Sequence, residues 1–198
     1  MIVVKLGGSL MHCAKVLVKE VIGYSRSSGE RILIVPGGGV FVETVRKVNA
    51  SEEASHWMAI LGMEQYGYFL ADRTEAKPVE DLNIKEGVCI ILPYNLLKKR
   101  DELPHTWDVT SDSIAAWIAH QLKARFIKVT DVDGIYIDGT LIKEIEAGKL
   151  VGKETCVDAE LPHFLMKNKM SCEIINGNCT GRLMNGLKGN VTGTLIKG

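Results

Sequence analysis

No stretch of this 198-residue chain approaches the roughly 18 consecutive apolar residues that a membrane-spanning helix requires. The amino terminus runs straight into a strand-like segment, without the charged and apolar regions of a secretory leader. The sequence therefore predicts a cytoplasmic protein with no membrane partner. An excess of one charge is also missing, since 24 lysines and arginines balance 24 aspartates and glutamates. Such a chain lacks the basic surface that drives nucleic-acid binding, and no nucleic-acid partner is expected. The five cysteines, Cys13, Cys89, Cys156, Cys172 and Cys179, form no C-x-x-C pair, and their odd number argues for reduced thiols over a disulfide framework.

Several catalytic signatures are absent as well. The Walker pattern GxxxxGK[ST] and the nucleophile elbow GxSxG do not occur. A dinucleotide fingerprint fails because the spacing from Gly37 and Gly39 arrives at Val42, where a small residue is required. None of the five histidines has metal-ligand spacing to another, so no protein-held metal is expected.

What the chain does have is an alternation of strand-like and helix-like segments, the signature of an α/β fold in one domain over residues 1–198. Strands are predicted at Ile2–Lys5, Arg31–Val35, Val88–Leu92, Phe126–Thr130, Cys172–Ile175 and Thr194–Ile196. Most are continuous runs of Val, Ile and Leu, as in a parallel sheet covered on both faces. Helices are predicted near Met11–Tyr24, Phe41–Val48, Ser51–Ala71, Ser111–Leu122 and Thr180–Leu187. Asp138-Gly139, between two alternating apolar runs, reads as a hairpin turn.

Four loops concentrate the chemistry. The opening strand delivers Lys5 and then Gly7, Gly8 and Ser9, which places an ammonium beside accessible backbone N–H groups and suits a phosphate. A second apolar strand runs into Gly37, Gly38 and Gly39, so the chain carries two anion-cradling turns. The segment TSDSIAA puts Thr110, Ser111 and Asp112 at a helix start, where Asp112 is either a cap or the organiser of a lysine. Thr130, Asp131, Asp133 and Gly134 leave the fourth predicted strand, and loops at strand carboxyl ends are where open α/β sheets bind ligands.

These motifs, KLGGS, PGGG, TSDSIAA, TDVDGIY and the closing GTLI, occur in the order seen in the amino acid kinase family, which the chain resembles over nearly its whole length. The resemblance implies a three-layer α/β/α sandwich of the amino acid kinase (carbamate kinase-like) fold around a mainly parallel sheet. It also implies ATP with Mg2+ as the donor, the metal held through ATP phosphates and water. Lys5 and Asp112 would then be catalytic, and Gly7, Gly8 and Ser9 would bind the transferring phosphate. Gly37, Gly38, Gly39, His56, Trp57, Thr110 and Ser111 would bind the acceptor, with the acceptor side mainly in 1–110. Thr130, Asp131, Asp133, Gly134 and Tyr136 would lie in the nucleotide side, mainly 111–198.

Size and local sequence look most like the small archaeal and methylotroph branch of the family, whose acceptor is a phosphorylated small molecule with a flat ring and a cationic arm. Trp57, Gln65, Tyr66 and Asp72 are candidates to face it. The alternatives are a kinase of the same family for another small-molecule phosphate, such as uridylate or isopentenyl phosphate, and a related storage module that binds nucleotide or oxyanions without turnover. The family's glycine-methionine-lysine motif is absent, leaving a second catalytic cation unassigned, with Lys153, Lys167 and Lys169 as candidates. Gly62 and Gly67 in the longest helix suggest close approach of another backbone, and a homodimer or higher homo-oligomer is expected.

Overall fold

The computed structural model describes residues 1–198. Its order of elements is β1 (Ile2–Leu6), α1 (Ala14–Ser28), β2 (Ile32–Pro36), α2 (Gly39–Arg46), α3 (Glu52–Ala71), β3 (Lys77–Val79), β4 (Val88–Ile91), α4 (Pro93–Lys99), α5 (Ser111–Leu122) and β5 (Arg125–Thr130). It continues with β6 (Tyr136–Ile137), β7 (Thr140–Leu141), β8 (Glu144–Glu146), α6 (Glu160–Asn168), β9 (Ser171–Asn176), α7 (Arg182–Leu187) and β10 (Thr194–Lys197). Eight strands form one sheet in the order β3-β4-β2-β1-β5-β9-β10-β8, in which only the β9–β10 pair is antiparallel. The expected hairpin is the separate β6–β7 pair, and its Asp138 and Gly139 both have positive φ.

Alternating residues of the central strands supply two apolar layers, which makes the fold a three-layer sandwich. Val3, Leu33, Ile91 and Phe126 face a core built with α4, α5 and α6, whereas Val4, Ile34, Ile90 and Ile127 face one built with α1 and α7. Helix α3 contributes Ile60 and Met63 to the first and Tyr66 and Leu70 to the second. A helix buried on two sides needs apolar residues around its circumference. It begins at Ser51, whose hydroxyl accepts from the Ala54 N–H at 3.2 Å, with Glu52 and Glu53 in its first turn.

Three sequence expectations change here. Helices α4 and α6 were not expected; each has a proline in its first turn, Pro93 and Pro162, where the missing N–H costs nothing. The glycines of α3 are explained within the chain, because a Cβ on Gly62 would lie 2.8 Å from Val42 Cγ2 and one on Gly67 3.1 Å from Leu92 Cδ2. They accommodate α2 and the end of β4. The turn after β1 forms a short 3-10 segment at Gly8–Leu10, and the helix proper starts only at Ala14.

Candidate active site

Strand β1 pairs in parallel with β2 on one side and β5 on the other, with Leu6 opposite both Pro36 and Val129. Chain direction thus diverges at β1, and the crevice beyond its carboxyl end is where a sheet of this kind receives a ligand. The Gly7 N–H donates to Val129 O at 2.9 Å and the Gly37 N–H to Leu6 O at 2.8 Å, tying the first turn to its neighbours. The two glycine turns meet backbone to backbone. A Cβ on Gly8 would fall 2.2 Å from Gly39 N, and Gly39 itself has φ +54° and opens α2. Only glycine permits this approach, and it brings the N–H groups of both turns to one place. The helix termini contributing there are those of α2 and α5, not α1.

Behind the turns lies a buried ion cluster. Lys5 and Lys128 occupy registered positions on adjacent strands, so their side chains leave the same face of the sheet. Lys5 Nζ is 3.0 Å from Asp112 Oδ1 and Lys128 Nζ is 2.5 Å from Asp112 Oδ2. The three residues are 8%, 3% and 3% exposed respectively. Burial opposes the ionised carboxylate, yet the charges of Lys128 and Lys5 outweigh it and hold Asp112 at a pKa of about 2. Lys128 also donates to the Cys156 carbonyl. Burial would depress it, but the Asp112 charge prevails and raises its pKa. For Lys5 burial prevails, and its pKa lies below the ordinary lysine value.

Asp158 fixes this cluster from the side. Its carboxylate accepts from Thr110 N and Oγ1, each at 2.8 Å, from Ser113 N at 3.0 Å and Oγ at 2.5 Å, and from Leu161 N at 2.9 Å. One side chain thereby caps the start of α5, which carries Asp112, and joins it to α6. Burial and the nearby Asp112 charge push the Asp158 carboxyl up.

Sequence reasoning missed both Lys128 and Asp158. A lysine inside the otherwise apolar run FIKVT, at the same offset from the strand end as Lys5, was the available signal for the first. Asp158 gave no signal, because its partners at Thr110 and Ser113 are more than 40 residues away. Lys153, Lys167 and Lys169 are exposed, and the second buried cation is Lys128.

On the side of β2, a cavity of about 190 Å³ opens between α2, α3 and the start of α5. Gly38, Gly39, His56, Thr110 and Ser111 line it together. Trp57 does not. Its ring packs edge-on against Tyr94 and His105, with Lys98 Nζ 3.7 Å above its face. The proposed ring-facing set on α3 also separates: Tyr66 is buried with its hydroxyl donating to Gly7 O at 3.3 Å, Gln65 is exposed, and Asp72 pairs with Lys15 at 2.6 Å. One helix cannot present these positions to one ligand, since they point in different directions around its axis.

On the side of β5 and β9, Thr130 Oγ1 donates to Asp131 Oδ1 at 3.1 Å. Burial opposes ionisation of Asp131, but the hydroxyls of Ser9 and Thr130 help hold its carboxyl below the usual range. Asp133 accepts from Asn176 Nδ2 at 2.9 Å, from Arg182 and from the Tyr136 hydroxyl at 3.4 Å. The Asn176 hydrogen bond and the Arg182 charge lower its pKa. Gly134 packs against Thr194, whose hydroxyl accepts from the Ile135 N–H at 2.9 Å and so binds the hairpin loop to the closing strand. Asn176 and Arg182 join the residues expected on the nucleotide side through these contacts.

Comparison with known proteins bears on the family and the fold. The model of the amino acid kinase family matches residues 1–176. A [5-(aminomethyl)furan-3-yl]methyl phosphate kinase from Methanocaldococcus jannaschii is 36% identical over 94% of this chain and 93% of its own. An isopentenyl phosphate kinase from the same organism is 22% identical over 98% and 97% of the two chains. Among solved structures, a uridylate kinase from Archaeoglobus fulgidus superimposes with a TM-score of 0.73 at 19% identity, covering 99% of this chain and all of that one. A UMP kinase from Ureaplasma parvum gives 0.74 at 16% identity, covering 100% and 98%, and both likenesses concern the fold. Family match, full-length relatives and the paired glycine turns together place this chain in the amino acid kinase family, as an ATP-dependent kinase.

Proposed function

We propose that this kinase transfers the γ-phosphoryl group of ATP to the phosphate of [5-(aminomethyl)furan-3-yl]methyl phosphate, forming the diphosphate in a step of methanofuran biosynthesis. The observation that carries the reaction type is the meeting of the two glycine turns at Gly8 and Gly39, with the cavity on one side and the Asp131–Asp133 loop on the other. Two phosphates held across that junction would face each other in line, as phosphoryl transfer requires. The choice of acceptor is supported by the relative that is 36% identical.

In this reading Lys5 contacts the transferring phosphoryl group and the N–H groups of Gly8 and Ser9 hydrogen-bond to it, while Gly7, whose N–H is held by Val129 O, shapes the turn. Gly38, Gly39, His56, Thr110 and Ser111 hold the acceptor, while Gly37, expected among them, is buried outside the cavity lining with its N–H bonded to Leu6 O. Thr130, Asp131, Asp133, Gly134 and Tyr136 serve the nucleotide, so that the single domain has its acceptor side mainly in 1–110 and its nucleotide side mainly in 111–198, with Ser111 at the boundary. Asp112 is not a base, since lysines face both of its oxygens and its pKa of about 2 leaves it ionised. None is needed, because an acceptor phosphate is already an anionic nucleophile. The glycine cradle fits the nucleotide's phosphates, and Mg2+ held by those phosphates and water would neutralise charge on them.

No helix is long and apolar enough to cross a membrane, and a cytoplasmic location is part of this proposal. Exposed Leu61 and Tyr68 on α3 support a homo-oligomer. The test is ADP release from ATP and Mg2+ with the furan monophosphate, uridylate or isopentenyl phosphate as acceptor. Turnover is expected with the furan compound foremost. Preference for another acceptor would overturn the assignment, and ATP binding without turnover of any would favour a storage module.

A further inference from the structure

The acceptor cavity has opposite electrostatics at its two ends. At one end stand the half-buried Gly38, Gly39 and the start of α5, where backbone N–H groups and the helix dipole favour an anion. At the exposed rim stand two carboxylates, Glu43 from α2 and Glu52 from the first turn of α3. No cationic side chain of the protein forms an ion pair with either one. The cation on the same rim, Arg46, lies over the Trp107 ring at 4.3 Å. Arg46 keeps its charge over that ring and offsets one carboxylate, so the rim carries one net negative charge, which would repel a ligand that carried phosphate and nothing else.

His56 supplies a second, independent sign of a ligand. It is 9% exposed, lines this cavity and hydrogen-bonds to no group of the protein, making only ring contacts with His105 and Trp57. Burial and the neighbouring His105 push its pKa down to about 4, so the ring is neutral near pH 7. Its ring nitrogens are not sealed off from that cavity, so whatever fills the cavity, water or ligand, supplies their hydrogen bond. A neutral imidazole can hydrogen-bond an uncharged part of a ligand without adding charge.

We propose that Glu43 and Glu52 form an ammonium subsite, so that the cavity selects zwitterionic acceptors with a phosphate at one end and a primary amine at the other, His56 bonding the uncharged middle. This rests on the acceptor reading above and assigns the residues that enforce it. Acceptors such as uridylate or isopentenyl phosphate have no cation to place at the rim.

The experiment compares wild type with Glu43→Gln/Glu52→Gln on two acceptors, the aminomethylfuran phosphate and the same compound with its amine replaced by hydroxyl. Both glutamates are exposed and glutamine is isosteric, and the hydroxyl compound controls for any general effect on the fold. Wild type is expected to favour the amine by about tenfold or more in kcat/KM, the worth of a charge-assisted hydrogen bond. The double variant should lose that preference through KM, changing less than about threefold on the hydroxyl compound. Equal losses on both acceptors, or an unchanged KM for the amine, would overturn the ammonium subsite while leaving the acceptor assignment standing. A wild type inert towards both furan phosphates but active on uridylate would overturn the acceptor assignment itself, and the subsite with it.

Discussion

Replacing Asp112 with asparagine keeps the shape of the side chain and removes the charge on which two buried ammonium groups depend. The contacts of 3.0 Å to Lys5 and 2.5 Å to Lys128 correspond to about 5–7 kcal/mol of attraction each at an effective dielectric of about 20, most of it offset by desolvation. Breaking such a cluster by removing one partner costs about 3–5 kcal/mol, because the remaining charge stays buried and uncompensated. Asp112→Asn should therefore lower unfolding free energy by that amount, read from urea denaturation with an unchanged slope. Lys128→Met should also destabilise, leaving Asp112 with one partner and the Cys156 carbonyl without its donor. The double variant is the decisive one. With Asp112 and Lys128 both neutralised, Lys5 is the one charge left unpaired where Asp112→Asn alone leaves two, and the loss should fall short of the sum of the single losses by about 2 kcal/mol or more. Additivity within about 0.5 kcal/mol would refute the view that Asp112 is the hub of this cluster.

Three further outcomes follow from the same geometry. Lys5→Ala should reduce turnover by about a hundredfold or more while circular dichroism shows the fold retained, as for the loss of one transition-state charge contact; unchanged turnover would remove Lys5 from the mechanism. Gly8→Ala drives a Cβ to 2.2 Å from Gly39 N, so the turns must part, and phosphoryl transfer should fall further than ATP affinity does. Because burial and His105 hold His56 near a pKa of about 4 against 6.5 when unfolded, the unfolded chain binds the extra proton first. Stability contributed by neutral His56 is then complete above about pH 6.5 and lost as pH falls towards 4, and His56→Gln should flatten that limb of a stability-against-pH curve.

The local consequences of sequence were legible from sequence. Continuous apolar runs gave β1, β2, β4, β5 and β9, because strands buried on both faces need no polar alternation. Glycines after β1 and β2 marked both turns, since only an absent Cβ explains such runs at strand ends. Ser51 and Thr110 marked helix starts, and their hydroxyls do accept from N–H groups of the first turn. Two of the three charges in the buried cluster, Lys5 and Asp112, were visible because each sits inside a motif.

Tertiary structure alone decided what those pieces mean to one another. That Lys128 stands beside Lys5 depends on β5 pairing with β1 in register, a contact between residues more than 120 apart in the chain. Asp158 caps α5 only because α6 folds back beside it. The aromatic and polar residues of α3 were grouped by type, yet helical geometry sends Trp57, Tyr66 and Asp72 to three different surroundings. Glu43, Glu52 and Thr110 share one cavity although they come from three helix starts or faces. A strand or turn is set by neighbours in sequence; a site is set by which side chains lose water together, and that is fixed only when the layers close.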